Sequence, residues 1–491
     1  MPRATSSLIP LAVLLLAGTI VFYRLGASEL QPFDEARRGT SAIEMAYGTA
    51  QHFLVPTYAG APDHWGTKPP LLIWLQAASV RLFGMTPFAV RLPSALVTLG
   101  LIALLLRWCR RDWGGYLPAA VAALYLLSSA DYLGNHGARS GDFDALLIFF
   151  LVAQLGFIHR YRCTGAPAQL VLFGLSVVLA GYTKGIAGCF FLPGIGLWLL
   201  LDRRGRELLT QPRLYLVGLA ALALITAYYP LREVVDPGYI AAVRHNELGR
   251  RFTLALEGHD GPWYAYMEFL AFDEGTKWLN LLLLPALFSI RNSRNGALTL
   301  VAVVAVTYLG VISVAATKIF WYKSPLLPLI GLLYGAGLQH WLGSRSWRGR
   351  LGLLAFTGLT LCTLYGSWQQ LNGRRAVINY VPAPAPHVAA IDAPNFTAPF
   401  TLVLHHYQPN ARFHLARSRV QGRSIRPVYS TFPPYITVNQ TLQPPELAVG
   451  ERVAVCTTRD YDYLATRYLL KELARAGVCR LYHTQGTKPA D

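Results

Sequence analysis

The sequence predicts an all-α polytopic membrane protein of about 11 transmembrane helices, with a small C-terminal α/β domain outside the membrane. Three observations predict it. Only 14% of the 491 residues are charged and 53% are hydrophobic, with mean hydropathy +0.34, whereas a soluble domain is about a quarter charged. The apolar residues gather in blocks such as 8–22, 96–106, 117–127 and 145–155, near or within the roughly 20 residues that span a bilayer as a helix. In hydrocarbon every backbone N–H and C=O must be paired internally, so these blocks must be helices. Finally, Arg residues collect between blocks on the side that one alternating topology makes cytoplasmic.

Span 1, over about 8–26, starts from the cytoplasm after Arg3. Its long apolar run lacks a small-x-small cleavage site followed by a soluble domain, so it reads as a retained span rather than a signal peptide. An outer segment follows, about 27–87, and span 2 (about 88–106) returns to Arg107, Arg110 and Arg111. Span 3 (about 116–133) leads to a short outer loop at 135–144, and span 4 (about 145–158) ends at Arg160 and Arg162. Spans 5 and 6 (about 169–182 and 186–201) form a hairpin ending at Arg203, Arg204 and Arg206. Span 7 (about 214–230) opens a second outer segment, 231–277, and span 8 (about 278–290) reaches Arg291 and Arg294. Spans 9 and 10 (about 297–315 and 324–339) return to Arg345, Arg348 and Arg350, and span 11 (about 351–368) leaves the rest outside. The net charge of +18 could mark a nucleic-acid binder. Because the Arg residues sit between spans, most of the excess belongs to topology and no nucleic-acid partner is expected.

The chain divides at about 1–370 and 371–491. Pro382, Pro384 and Pro386 suit a linker. Strand-like runs follow at 400–405 and 452–456, then a helix over 463–476, with Ala465, Leu469, Leu473 and Ala476 on one stripe and Gly477 as C-cap. Residues 478–482 read as another strand. Cys456 and Cys479 then lie on neighbouring strands, either as a disulfide permitted outside the cytoplasm or as two buried thiols. Cys109, Cys163, Cys189 and Cys362 lack metal-ligand spacing. No Gly-rich phosphate loop is present. An outward-facing site has no nucleotide sugar, so an activated donor there must arrive on a lipid.

The first outer segment carries Phe33-Asp34-Glu35-Ala36-Arg37-Arg38-Gly39, with Pro32 before it and Glu44-Met45 after it, a pattern for an amphipathic helix along the membrane surface. Asp34 either N-caps this helix or acts as general base on an acceptor hydroxyl. Lys68 precedes an apolar run, Pro69-Pro70-Leu71-Leu72-Ile73-Trp74-Leu75, and either snorkels or pairs with a lipid phosphate. In the loop Asn135-His136-Gly137-Ala138-Arg139-Ser140-Gly141-Asp142-Phe143-Asp144, Arg139 and the two carboxylates form a structural ion pair or line a polar cavity. Thr183-Lys184-Gly185 and Thr317-Lys318-Ile319-Phe320-Trp321-Tyr322-Lys323-Ser324-Pro325 add cations on the outer side, against the positive-inside bias. Together they suggest a pocket for an anionic head group at the outer leaflet. Arg244, His245, Arg250, Arg251 and His259 of the second outer segment either join it or belong to a solvated helix.

An ordered series of motifs resembles glycosyltransferase family 39 and its relatives, including the lipid A aminoarabinose transferase and the dolichyl-phosphate-mannose protein mannosyltransferases. The series is Asp34-Glu35-Ala36-Arg37, Val55-Pro56, Gly60, Lys68-Pro69-Pro70-Leu71, Leu82-Phe83-Gly84 and Ala89-Val90-Arg91-Leu92-Pro93-Ser94, then Arg139-Ser140-Gly141-Asp142, Thr183-Lys184-Gly185, and Lys318 to Pro325 with Pro328. The resemblance covers about the first 330 residues. It implies a GT-C membrane fold in the inner membrane, the C-terminal domain outside, and inverting transfer from an undecaprenyl- or dolichyl-phosphate sugar to a lipid, glycan or protein acceptor. Asp34, with Glu35 and Asp142, is then catalytic or supports catalysis, and Lys68, Arg139, Lys184, Lys318, Tyr322 and Lys323 hold the donor phosphate. One departure concerns metal. The aminoarabinose-transferase pattern has a Glu, associated with a bound metal, where this chain has Thr67; Asp63 and His64 are nearby, but two ligands do not make a site. No cofactor is required, and a divalent metal stays open. The alternative from another class is a transporter or flippase, against which stand the lack of inverted repeats and the placing of acid–base residues in outer loops.

Overall fold

The computed structural model describes residues 3–134, 136–248, 259–273, 276–280, 287, 290, 293, 295–343, 347–371, 386–397, 399–405, 408–431 and 447–488. Asn135, Arg250, Arg251, Arg291, Arg294, Arg345, Pro382, Pro384 and most of the expected span 8 lie outside the described residues. The chain opens with helices α1 (Arg3–Phe22), α2 (Asp34–Tyr47), α3 (Leu71–Phe83), α4 (Pro87–Asp112) and α5 (Leu117–Ser128).

Among the described residues, five helices are long and apolar enough to cross a membrane: α4, Asp144–Thr164, Pro167–Cys189, Pro212–Val235 and Gly296–Val314. Leu8–Phe22, α3, α5, Leu192–Leu201 and Arg350–Gly366 are shorter apolar helices. Two expected spans are broken. Span 3 stops at Ser129, whose extended backbone (φ −71°, ψ 121°) starts a new turn, Ala130–Leu133, capped by the Ser129 hydroxyl accepting from the Tyr132 amide. Span 6 begins as a 3-10 turn, Gly185–Cys189, before Leu192–Leu201. Such breaks are tolerated at depth only where protein groups satisfy the freed backbone, as the Ser129 hydroxyl does.

Helix packing depends on small residues. The helix Leu326–Gly343 lies so close to α5 that a Cβ on Gly331 would come within 2.7 Å of the Ala122 Cα, and one on Gly335 within 2.4 Å of the Pro118 Cα. This small-xxx-small spacing lets two helices approach closely without a hydrophobic driving force between them. At the far ends of α4 and Asp144–Thr164, Arg160 pairs with Asp112 at 3.2 Å and Arg162 with Asp202 at 2.6 Å. The opposite ends of the same two helices carry Arg91 and Asp144 and border the polar centre below.

The C-terminal segment forms a five-stranded mixed sheet in the order β4-β3-β5-β7-β6, with a separate short hairpin, β1 (Thr57–Tyr58) and β2 (Ala61–Pro62), earlier in the chain. The larger sheet comprises β3 (Phe400–His405), β4 (Ile425–Thr431), β5 (Arg452–Val455), β6 (Tyr468–Ala476) and β7 (Cys479–Thr487). The expected strands are present, but the expected helix at 463–476 is not. The helix is Thr458–Ala465, capped by the Thr457 hydroxyl accepting from the Asp460 amide at 3.1 Å, and 468–476 is a strand. The stripe of Ala465, Leu469 and Leu473 has helical spacing. Pairing with β7 along the whole strand, through a tight turn in which Gly477 takes φ 60°, overrides that local preference. Cys456 and Cys479 form a disulfide. Replacing both with Ala should destabilise the sheet by about 3 kcal/mol, read as a lower melting temperature of the purified protein under oxidising conditions only.

The sheet region docks on α2 through the helix Pro409–Val420. Phe413 packs with Leu30, Ala36 and Ile43, the Asn410 amide donates to the Leu30 carbonyl at 2.6 Å, and His414 contacts Glu29 at 3.0 Å.

Candidate active site

Helix α2 starts under strain. Phe33, just before Asp34, holds φ 71°, a sign that L-residues rarely adopt and that costs about 1–3 kcal/mol. Glu35 holds the turn in place. Its carboxylate accepts from the Gln31 amide at 2.6 Å and the Gly141 amide at 2.8 Å, and takes both Nε (2.7 Å) and Nη2 (2.9 Å) of Arg91. Arg91 in turn donates to the carbonyls of Leu25, Ser28 and Glu29. Glu35 is therefore a buried anchor, while the neighbouring Asp34 side chain remains 38% exposed. Asp34 is the first residue of the helix and not its cap, since the cap position is Phe33. Truncating Glu35 to Ala would leave the Arg91 guanidinium buried with no carboxylate, and should lower stability by about 3–5 kcal/mol in a melting experiment.

A second carboxylate comes from the loop before Asp144–Thr164. Asp142 is buried, hydrogen-bonded to His136 Nδ1 and to the Phe143 amide at 2.7 Å. His136 also has positive φ (64°), and its ring stacks on Trp321 at 4.0 Å, bringing the Lys318–Pro325 loop against this group. Arg38, one turn after Asp34, reaches it at 3.5 Å and lies over the Phe143 ring at 4.7 Å. The polar atoms of Asp34, His136 and Asp142 all lie within 4.8 Å of one another.

Burial alone would raise the Asp142 carboxyl, but His136, Arg38 and Lys184 outweigh it and hold it below its ordinary 3.8. Burial alone would lower His136, but Asp142, Asp34 and Asp144 outweigh it and raise the imidazole above its ordinary 6.5. The depressed carboxyl contributes stability above its ordinary value, lost as pH falls through the folded value. The raised imidazole contributes below 6.5, and that contribution is lost as pH rises through the folded value. The pair thus weakens on the alkaline side. A melting-temperature profile from about pH 6 to about pH 9 should fall more steeply for the wild type than for His136→Gln.

Across Phe143, whose ring also faces Lys68 Nζ at 5.9 Å, lies a cleft enclosing ≈ 730 Å³ including its open mouth. Lys68, Lys184, Tyr322, Asp144 and Glu247 form its polar side; Ile186, Phe190, Val311 and Ile312 form an apolar wall. Lys184 pairs with Asp144 at 2.5 Å and sits over the Tyr322 ring at 5.4 Å. Lys68 pairs with Glu247 at 3.1 Å, and the Thr67 hydroxyl donates to the same Glu247 oxygen at 2.9 Å. The loop carrying Lys68 is rigid because Asp63 is clamped by Arg37 and by the Trp65 and Gly66 amides. Burial would raise Asp63, yet these partners hold it at about 2.

The structure thus brings Asp34 and Asp142 together, and Lys68, Lys184 and Tyr322 together, with Asp142-Phe143-Asp144 running from one group to the other. It does not bring Arg139, Lys318 or Lys323 into the cleft. Arg139 donates to the Ile20 and Val21 carbonyls at the end of α1, and Lys318 to the Ser313 and Ala315 carbonyls at the end of Gly296–Val314. Both are cations placed on helix C-termini. Lys323 is 2% exposed, paired with Asp131 and, at 3.8 Å, with Asp273. Arg244 and His245 face solvent. Sequence reasoning misses Arg38, His136 and Glu247. The Asp34–Arg38 spacing of i, i+4 is a legible signal; nothing local marks Glu247.

A metal fits poorly beside Thr67: Asp63 is held by Arg37, His64 by Asp236 at 2.7 Å, and Glu247 already carries an ammonium. Asp34, His136 and Asp142 are compact enough to hold an ion, but Arg38 already supplies a cation there.

The backbone superposes on ArnT from Cupriavidus metallidurans bound to undecaprenyl phosphate with TM-score 0.70 at 18% identity, covering 98% of both chains. A family profile described as dolichyl-phosphate-mannose-protein mannosyltransferase matches residues 67–229. The likeness to ArnT shows a shared fold, and the profile match spans about a third of the chain. The profile match contains Lys68, Asp142, Asp144 and Lys184, while Asp34, Glu247 and Tyr322 lie outside it. The archaeal oligosaccharyltransferase AglB of Archaeoglobus fulgidus shares the fold at TM-score 0.54 and 14% identity, over 85% of this chain and 64% of that one. An undecaprenyl phosphate-alpha-4-amino-4-deoxy-L-arabinose arabinosyl transferase of Pseudomonas fluorescens is 27% identical over 320 residues, 64% of this chain and 55% of its own. One of Aeromonas salmonicida is 31% identical over 274 residues, 54% of this chain and 48% of its own. The chain thus spans about half the length of these relatives.

Proposed function

We propose that this protein is an inverting glycosyltransferase that moves a sugar from a polyprenyl-phosphate carrier to an extracytoplasmic acceptor. One observation carries the reading: a single cleft joins two lysines and a tyrosine to an apolar wall, next to a half-exposed carboxylate. A lipid phosphate has both of the features that such a cleft accommodates. Its phosphate meets Lys68, Lys184 and the Tyr322 hydroxyl, and its isoprenoid chain lies on Ile186, Phe190 and Val311. The names of the relatives, and the lipid held by ArnT, agree with this choice of donor.

Asp34 accepts the proton of an acceptor hydroxyl as its oxygen attacks the anomeric carbon from the side opposite the phosphate. The carbon–oxygen bond to phosphate breaks with its electron pair, and negative charge grows on the leaving polyprenyl phosphate. Fixed cations facing that charge stabilise it in the transition state. A single displacement inverts the anomeric centre. Asp142, held by His136, keeps the Arg38 side of Asp34 polar and negative. Arg139, Lys318 and Lys323 serve the scaffold that shapes the cleft. Glycans, lipids such as lipid A, and protein hydroxyls are the acceptor classes. The disulfide supports placing the C-terminal region on the outer face of the inner membrane.

The test is mass spectrometry of lipid A, surface glycans and exported proteins from a deletion strain and its complemented parent. A sugar missing from one of these and restored by the wild-type gene is the expected result. Unchanged envelopes together with altered passage of a lipid-linked sugar across the membrane would replace the enzyme reading with a transporter.

A further inference from the structure

We infer that Glu247 is the resident counter-ion of the donor-phosphate lysine, displaced from Lys68 when the phosphate arrives, and that it thereby sets the affinity of the cleft for its donor. The inference rests on the reading above that Lys68 meets the donor phosphate.

The cleft carries two cations, Lys68 and Lys184, and two carboxylates, Asp144 and Glu247. Their formal charges cancel, so the cleft offers little net attraction to an anion while both pairs stand. The pairs are not equivalent. Asp144 is 4% exposed and sits at the start of a long helix, fixed on Lys184 at 2.5 Å. Glu247 is 20% exposed and belongs to a short π-helical turn, Arg244–Leu248, a rare geometry frequent at functional sites. A phosphate hydrogen-bonded to Lys68 Nζ would share that ammonium with a Glu247 oxygen 3.1 Å away, placing two anions within about two hydrogen-bond lengths. The carboxylate must then give up the lysine.

The surrounding wall can stay in place as it does so. His64 Nε2 contacts Asp236 at 2.7 Å, the Tyr239 hydroxyl donates to the Thr67 carbonyl at 2.6 Å, and the Asn246 amide donates to the His64 carbonyl at 3.0 Å. Each of these ties the Glu247 segment to the Lys68 loop without using the Glu247 carboxylate. The Thr67 hydroxyl, 2.9 Å from the Glu247 oxygen, supplies an uncharged partner that remains when Lys68 is lost. Threonine at that position therefore serves the exchange in a way a second carboxylate beside Lys68 would not.

The experiment measures binding of undecaprenyl phosphate, with no sugar attached, to the full-length protein in nanodiscs. Glu247→Gln keeps the shape and the Thr67 contact but removes the charge; it should bind about tenfold tighter than the wild type. Glu247→Asp keeps the charge and should show no such gain. Lys68→Ala should lose binding in either background. Unchanged or weaker binding by Glu247→Gln, or equal gains in Gln and Asp variants, would overturn the role of Glu247 while Lys68→Ala still upholds the donor site. A wild type that does not bind the lipid, or a Lys68→Ala variant that binds as well as wild type, would remove the donor reading itself and this inference with it.

Discussion

Asp34→Asn should lower sugar transfer by about 10²- to 10⁴-fold, the range that positioned proton transfer contributes, with no loss of folded protein. The two halves of this expectation have different grounds. Asp34 is 38% exposed and its closest charged contact is Arg38 at 3.5 Å, so an isosteric amide removes little packing and leaves no tight ion pair broken. The proposed transfer, however, needs a base beside the acceptor hydroxyl, and Asp142 cannot stand in. Asp142 is buried, its oxygens committed to His136 and the Phe143 amide. Transfer assayed in membranes, alongside a melting curve of the purified variant, separates the two. Retained transfer with an unchanged melting temperature would remove Asp34 from the reaction.

The second large effect belongs to Lys68. Lys68→Ala should cost about 10²- to 10³-fold in turnover, the scale seen when one preorganised group facing developing charge is removed. Lys68→Arg should recover part of it, because the charge returns while the geometry of its contacts changes. Lys184→Ala is a different experiment. It strands Asp144, 4% exposed, without its cation, so lost activity would come with lost stability. Comparing melting temperatures of the two variants distinguishes a cation facing the ligand from one also holding the fold.

Much of this arrangement is legible in the sequence, because apolar spans write themselves plainly. Spans 2, 4, 5, 7 and 9 stand as uninterrupted apolar runs and fold as long helices. The broken ones, at Ser129 and Gly185, were not legible, since a backbone break at depth is licensed by partners distant in sequence. In the C-terminal region the helical stripe of Leu469 and Leu473 misled, because β pairing depends on a partner strand that local periodicity does not show.

The same limit applies to the site. Outward-side cations suggest an anion pocket, and Lys68, Lys184 and Tyr322 line one cleft. Three others of the same charge and side do not, because a cation can equally satisfy carbonyls at a helix end, as Arg139 and Lys318 do, or a buried acid, as Lys323 does with Asp273. Glu35 and Asp34 are neighbours in sequence, yet a helix turns adjacent side chains about 100° apart. One is sealed against Arg91 and the other stays 38% exposed beside Arg38. Glu247 contacts Thr67 and Lys68 across some 180 residues, beyond the reach of any spacing rule.

Photo-cross-linking tests most directly whether the cleft takes a lipid phosphate. An undecaprenyl phosphate analogue carrying a diazirine on an isoprene unit near the phosphate would be activated in membranes containing the full-length protein, and the labelled peptides sequenced. Label on Ile186, Phe190 or Val311, lost in Lys68→Ala, is the result expected. Label spread over other helix faces, or cleft labelling that Lys68→Ala leaves unchanged, would contradict it.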